Sequence, residues 1–148
     1  MEAVLLIGVQ GAGKTTFFEQ RFAATHVHIS RDVLGSLPRE RAAVETCIGA
    51  RKPFVIDNTN ALASTRAAWI ARAKAADYRI VGYFFNTEMR AAIARNNKRT
   101  NRKPVPVPGL LRTWKVMEPP SIREGFDELY TVTPKRELMF DVTPREAS

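Results

Sequence analysis

Apolar residues form one unbroken run at 4–7, and shorter or interrupted apolar stretches recur at 27–29, 54–57, 79–85 and 129–132. The continuous run at 4–7 fits a parallel strand covered on both faces, and the others read as further strands. The stretches between them carry the mixed, Ala/Arg/Lys-rich composition of surface helices, which predicts helices over 14–24, 39–49, 62–76, 88–99 (with Thr87 as cap) and 110–117. Pro104, Pro106, Pro108 and Gly109 break the pattern between the last two and force a loop. Strands alternating with helices predict an α/β three-layer sandwich, a parallel sheet of about five strands with helices on both faces. The core unit spans residues 1–133, with a tail of undefined order at 134–148.

Composition adds little until charge is located. The 148 residues are 45% hydrophobic, as for a globular domain, and the length suits one core. The apolar run at 3–7 follows Glu2 and is too short for a leader or a span. The single Cys47 makes no internal disulfide, reads as packing, and sets a reducing, cytoplasmic compartment as the default. The formal charge is +8. From Arg90 to Lys115 there are eight Lys or Arg residues and no acid, and the remaining 15 basic residues balance the 15 acidic ones. The whole excess belongs to one segment, which reads as a phosphate-facing surface.

The first strand runs into Gly8-Val9-Gln10-Gly11-Ala12-Gly13-Lys14-Thr15, and a helix follows. This is the G-x-x-x-x-G-K-[ST] pattern in its proper setting, a P-loop. Its glycines allow backbone N–H groups to turn toward phosphate oxygens at a helix N-terminus. Gly8, Gln10, Gly11, Ala12, Gly13, Lys14, Thr15 and Thr16 are therefore the expected ATP site, with Lys14 on the β- and γ-phosphates and the Thr15 hydroxyl in the Mg²⁺ shell. Arg31-Asp32 follows the second strand, at the carboxyl edge where ligands collect in such sheets. Asp32 reads either as a general base for an attacking hydroxyl or as a helix N-cap. Asp57-Asn58-Thr59-Asn60 closes the third strand, and Asp57 either enters the Mg²⁺ shell or orients the acceptor. The basic stretch with Arg95 and Arg99 is expected to form a lid over about 95–109, supplying positive charge to the transferring phosphoryl group. His26 and His28 read as structural. Trp69 and Trp114 fit either the core or a stacking surface.

Taken together, the P-loop, the Ser30-Arg31-Asp32-Val33-Leu34-Gly35 segment, Val55-Ile56-Asp57-Asn58-Thr59-Asn60 and Arg95-Asn96-Asn97-Lys98-Arg99 resemble the kinase domain of polynucleotide 5′-hydroxyl kinases. The likeness covers about residues 4–130, includes Glu124-Gly125-Phe126, and is similar to both the eukaryotic DNA-repair form and stand-alone bacterial members. The resemblance implies that Asp32 is the base activating a 5′-hydroxyl of DNA or RNA. It implies that Arg31, Asp57, Asn58, Arg66 and Arg95 face the acceptor, Arg66 through a substrate phosphate. Arg99 becomes the lid arginine on the ATP phosphates, with Arg95 and Arg102 competing for that role. The chain departs from the phage form at Gly35, where that form has an arginine, and no Asp-x-Asp-x-Thr phosphatase motif is present. Two other functions fit the same residues: a kinase for a sugar, nucleoside or antibiotic hydroxyl, and an ATP-dependent switch with no dedicated acceptor.

Overall fold

A computed structural model describes residues 1–98, 105–135 and 139–145. Six strands form one sheet in the order β2-β3-β1-β4-β5-β6. They are β1 (Glu2–Ile7), β2 (Val27–Ser30), β3 (Phe54–Asp57), β4 (Arg79–Phe85), β5 (Glu128–Pro134) and β6 (Phe140–Pro144). The first five are parallel, and β6 pairs antiparallel to β5, with Tyr130 opposite Pro144 and Val132 opposite Val142. The expected five parallel strands are all present. The sixth comes from the tail, which alternates too weakly to declare itself as a strand.

The helices are α1 (Lys14–Arg21), α2 (Arg31–Leu34), α3 (Leu37–Gly49), α4 (Ala63–Ala75), α5 (Met89–Asn97) and α6 (Val107–Val116). Strand alternation assigns them to two layers. Ala3, Leu5 and Ile7 of β1 and Phe54 and Ile56 of β3 point to one core with Val44 and Cys47 of α3 and Trp69, Ile70 and Ala73 of α4. Val4, Leu6 and Val55 point to the other, against Phe17 and Phe18 of α1, Ala92 of α5 and Leu110 of α6. Because both faces of β1 are covered, its run from Ala3 to Ile7 is fully buried. From β1 the chain crosses past β3 to reach β2, whereas β4 lies on the other side of β1. The direction of winding thus reverses at β1, and the carboxyl ends of β1 and β3 open the crevice where such sheets take ligands.

Three expectations at helix ends change. α1 stops at Arg21 rather than 24, with Phe22 at its cap turning into the core. α6 begins at Val107 rather than 110, because Pro108 occupies its first turn, where a missing N–H costs nothing. The Thr87 hydroxyl is buried with no hydrogen-bond partner, so it does not cap α5. Cys47 packs in the core as a free thiol, as expected.

Candidate active site

The loop after β1 is shaped by its glycines. Gly13, the residue before α1, has φ 97°, and a Cβ there would lie 3.0 Å from the Phe140 ring of β6. Only glycine combines that dihedral with that contact. Gly11 is also left-handed, and a Cβ on Gly8 would lie 2.9 Å from the Phe85 Cβ. The loop is anchored from the β3 side, since the Gly8 N–H donates to the Thr59 carbonyl at 3.0 Å. The side-chain amide of Asn60 donates to the Leu6 carbonyl at 2.8 Å. Gln10 reaches to α6, where its amide donates to the Thr113 hydroxyl at 3.3 Å.

Lys14 is buried, and its ammonium donates to the Gly8 and Val9 carbonyls at 2.8 and 3.0 Å. It is thereby held inside the loop whose N–H groups the motif reserves for phosphates. Beside it, the Thr15 hydroxyl donates to Asp57 Oδ2 at 2.9 Å. The same oxygen accepts from His28 Nε2 at 2.7 Å. His28 in turn stacks on Phe18, with ring centroids 3.9 Å apart. Burial pushes the Asp57 carboxyl up, but the His28 hydrogen bond, the Lys14 charge and the Thr15 hydroxyl together hold it below the usual range. A hydroxyl and an ionised carboxylate side by side are the oxygen pair that suits Mg²⁺, which keeps its remaining positions for water and phosphate. The donor set therefore fits the metal, and Asp57 stands against Thr15 of the P-loop helix, as the Mg²⁺-shell expectation requires.

On the other face, Arg31 Nε donates to Glu40 Oε1 at 2.6 Å, and the Asn58 amide donates to Glu40 Oε2 at 2.8 Å. Asn58 also accepts the Asn60 N–H at 2.7 Å, a local turn that admits the positive φ of Asn60. Ser30, not Asp32, stands at the cap position of α2, so Asp32 lies within that helix, which removes the N-cap alternative. Arg31, Asp32 and Val33 are exposed, on an open rim next to Asn58 and the carboxyl end of β3. A cavity of about 500 Å³ lies between α3 and α4, bounded by Leu37, Arg41, Val44, Ser64 and Trp69, and none of the expected site residues lines it.

Arg66 is a correction. It is 0% exposed, and its guanidinium donates to both oxygens of Glu124 at 2.7 and 3.0 Å and to the Asn60 and Ala61 carbonyls. With four of these bonds made inside the protein, it braces the Asn58–Ala61 turn and does not reach an acceptor phosphate. Arg95 lies in α5 by its backbone, and its side chain falls outside what the structure describes. Arg99 and Arg102 lie outside the described residues altogether. His26 is structural as expected, bonded to Glu2 and Thr25. Trp69 is core, which removes it as a stacking surface, whereas Trp114 is exposed on α6.

Three site residues escaped the sequence reading. Glu40 carried a signal: with Val44 and Cys47 it occupies the i, i+4, i+7 face that α3 buries, an improbable place for an unpartnered carboxylate. His28 lies in register with Val55, so alternation alone puts its side chain on the face of Asp57. Phe140 had none, because its strand was not legible.

The parallel sheet, the glycine loop closing on a buried lysine, and the Thr15–Asp57 pair define the P-loop NTPase class. Within it, residues 38–119, more than half of the chain, match the AAA domain family, and the protein belongs to that family. The match begins after the P-loop and runs from α3 through α6. Among solved structures, the fold is similar to a gluconokinase from Sinorhizobium meliloti 1021, with 19% identity, TM-score 0.63, and coverage of 93% of this chain and 85% of that one. It is similar to Kti12 of Chaetomium thermophilum in complex with ADP-AlF3, with 17% identity, TM-score 0.63 and 88% of each chain covered. It is also similar to the Mycobacterium tuberculosis APS kinase CysC in complex with AMPPNP and APS, with 17% identity, TM-score 0.60, and 93% and 90% coverage. Among the described residues no helix is long and apolar enough to cross a membrane.

Proposed function

We propose that this protein is an ATP-dependent kinase that transfers the γ-phosphate to a 5′-hydroxyl at an end of DNA or RNA. The donor half is the P-loop with Mg·ATP. Loop N–H groups and Lys14 bind the phosphates, and Thr15 and Asp57 would hold a metal that would supply neutralisation of the phosphate charge. The acceptor half is centred on Asp32. Its carboxylate takes the proton of the attacking hydroxyl as the new O–P bond forms and the bond to the β-phosphate oxygen breaks, leaving ADP. Arg31 and Asn58 flank the acceptor, and Arg95 and Arg99 are assigned to the closing lid.

The observation that carries the polynucleotide reading is the open position of Asp32. It stands on an exposed four-residue helix between Arg31 and Val33, and only α2 and α3 connect β2 to β3. A rim of this kind admits the end of a polymer, and the acid-free basic stretch from Arg90 to Lys115 supplies the charge that a phosphodiester backbone needs. The test is labelled γ-phosphate transfer to a 5′-hydroxyl oligonucleotide at several salt concentrations. Transfer that weakens with salt and vanishes in Asp32→Ala, with ATP binding kept, supports the proposal. Full transfer by Asp32→Ala removes the assigned base.

A small-molecule hydroxyl kinase is the second reading. It is favoured by the gluconokinase and APS kinase among the similar structures. It predicts turnover on a sugar or nucleoside with almost no salt slope and none on oligonucleotides.

A further inference from the structure

Glu40 is 0% exposed, on the face that α3 turns to the core, yet both of its carboxylate oxygens are spent on the acceptor rim, one on Arg31 Nε and the other on the Asn58 amide. A buried carboxylate is a poor device for stability even when paired, because its desolvation offsets much of the attraction and a packed apolar residue serves the core as well. What such a pair does supply is geometry. Arg31 begins α2 directly after β2, and Asn58 follows β3; the strand ends are in register, Ser30 opposite Asp57. One carboxylate therefore ties together the two backbone segments that frame Asp32.

The bond to Glu40 uses Nε only. The Arg31 side chain remains 44% exposed, and no described residue takes its terminal nitrogens. A guanidinium held at Nε keeps a pair of terminal N–H groups in a fixed plane, the arrangement that receives two oxygens of a phosphate.

Building on the acceptor site assigned above, we propose that Glu40 is a positioning residue that fixes the Arg31 fork on a phosphate of the acceptor, and so sets the preference for acceptors with a phosphodiester near the reacting hydroxyl over those without one. Glu40 touches no reactant in this scheme. It acts through Arg31.

The experiment compares kcat/KM for a short 5′-hydroxyl oligonucleotide with that for a free nucleoside, in the unmodified protein, Glu40→Gln, Arg31→Ala and the double variant. In Glu40→Gln the oligonucleotide KM is expected to rise about tenfold, the loss of one well-oriented charged contact. The ATP KM stays the same and the nucleoside kcat/KM falls far less than tenfold, so discrimination falls. In the Arg31→Ala background the Glu40 change does not lower the oligonucleotide-to-nucleoside preference any further. Additive losses, equal losses on both acceptors, or a parallel rise in the ATP KM give Glu40 a merely structural role and overturn the proposal. If Glu40→Gln does not fold, Glu40→Asp keeps the charge while withdrawing it by one methylene, and an unchanged acceptor preference there overturns the proposal as well. An unmodified protein that uses both acceptors equally well refutes the inference and leaves the kinase reading standing. One that phosphorylates neither refutes both.

Discussion

Arg66 separates a structural role from a substrate role more sharply than any other residue in the molecule. Its side chain is fully buried, with a two-pronged bond to Glu124 and two further bonds to the carbonyls of Asn60 and Ala61. Glu124 is not free to relax when the arginine is removed, since its Oε2 also accepts the Ser121 N–H in the capping box of the turn before β5. Arg66→Ala leaves a partly buried carboxylate without its cation and two carbonyls without donors. Removing one partner of a buried pair costs about 3–5 kcal/mol. For a domain of this size each kcal/mol lowers the midpoint by roughly 2–4 °C, so Tm falls on the order of 10 °C. Thermal unfolding followed by tryptophan fluorescence measures this directly, since Trp69 sits in the same helix and is buried. Arg66→Lys recovers little, because an ammonium cannot span both Glu124 oxygens. Below the new transition, the folded variant keeps its acceptor KM within about twofold, a difference of roughly 0.4 kcal/mol. A variant of unchanged stability whose acceptor KM rises tenfold would falsify the assignment and restore Arg66 to the acceptor site.

Further outcomes follow from the donor side. Phe140→Ala is expected to raise the ATP KM severalfold and to cost roughly 2 kcal/mol, less than a full core phenylalanine because the ring is only partly buried; an unchanged ATP KM would mean that β6 does not support the loop. Gly13→Ala should abolish ATP binding in a nucleotide-displacement assay while the fold persists by circular dichroism, because φ 97° and the Phe140 contact both oppose a Cβ; normal binding would refute the backbone argument. Asp57 is held ionised below the ordinary carboxylate range, so its contribution to stability is complete above the unfolded pKa of about 4 and is lost as pH falls through the lower folded value. Asp57→Asn should therefore flatten the acid limb of an unfolding titration, and an identical acid limb in both proteins would contradict that sign.

The sequence spoke clearly wherever one residue's neighbours in the chain decide its role. A buried run, a glycine turn and a helix specify the P-loop locally, and the five parallel strands follow from apolar stretches that alternate with helices. Asp57 was legible as a functional carboxylate, with the Mg²⁺ shell and the acceptor both open to it; the choice turns on its contact with Thr15, 42 residues earlier in the chain, at 2.9 Å. Arg66 was misplaced for the same reason: its partner Glu124 lies 58 residues away, and a cation near an acceptor turn looks alike whether it faces out or in. Phe140 lay beyond reach because β6 is an edge strand with one solvated face, whose pattern of Phe140, Asp141, Val142 and Thr143 is too short to stand out from a tail.

The end of β3 sends consecutive side chains to opposite faces of the sheet. Val55 and Asp57 share the α1 face, so Asp57 meets Thr15 of that helix and His28 of β2. One residue on, Asn58 meets Glu40 of α3 on the opposite face. Two consecutive residues thus join different layers, and in the proposed reaction the first lies on the metal and phosphate side and the second on the acceptor side, while the Gly8–Thr59 bond ties the end of β3 to the P-loop. It follows that substitutions within one network act on one substrate: Thr15 changes on ATP, Glu40 changes on the acceptor. A change in β3 itself must act on both. Val55→Ala opens space beneath Asp57 without touching either network, and the prediction is that it raises both KM values together. A rise in one alone would mean that β3 does not carry the two halves as a unit.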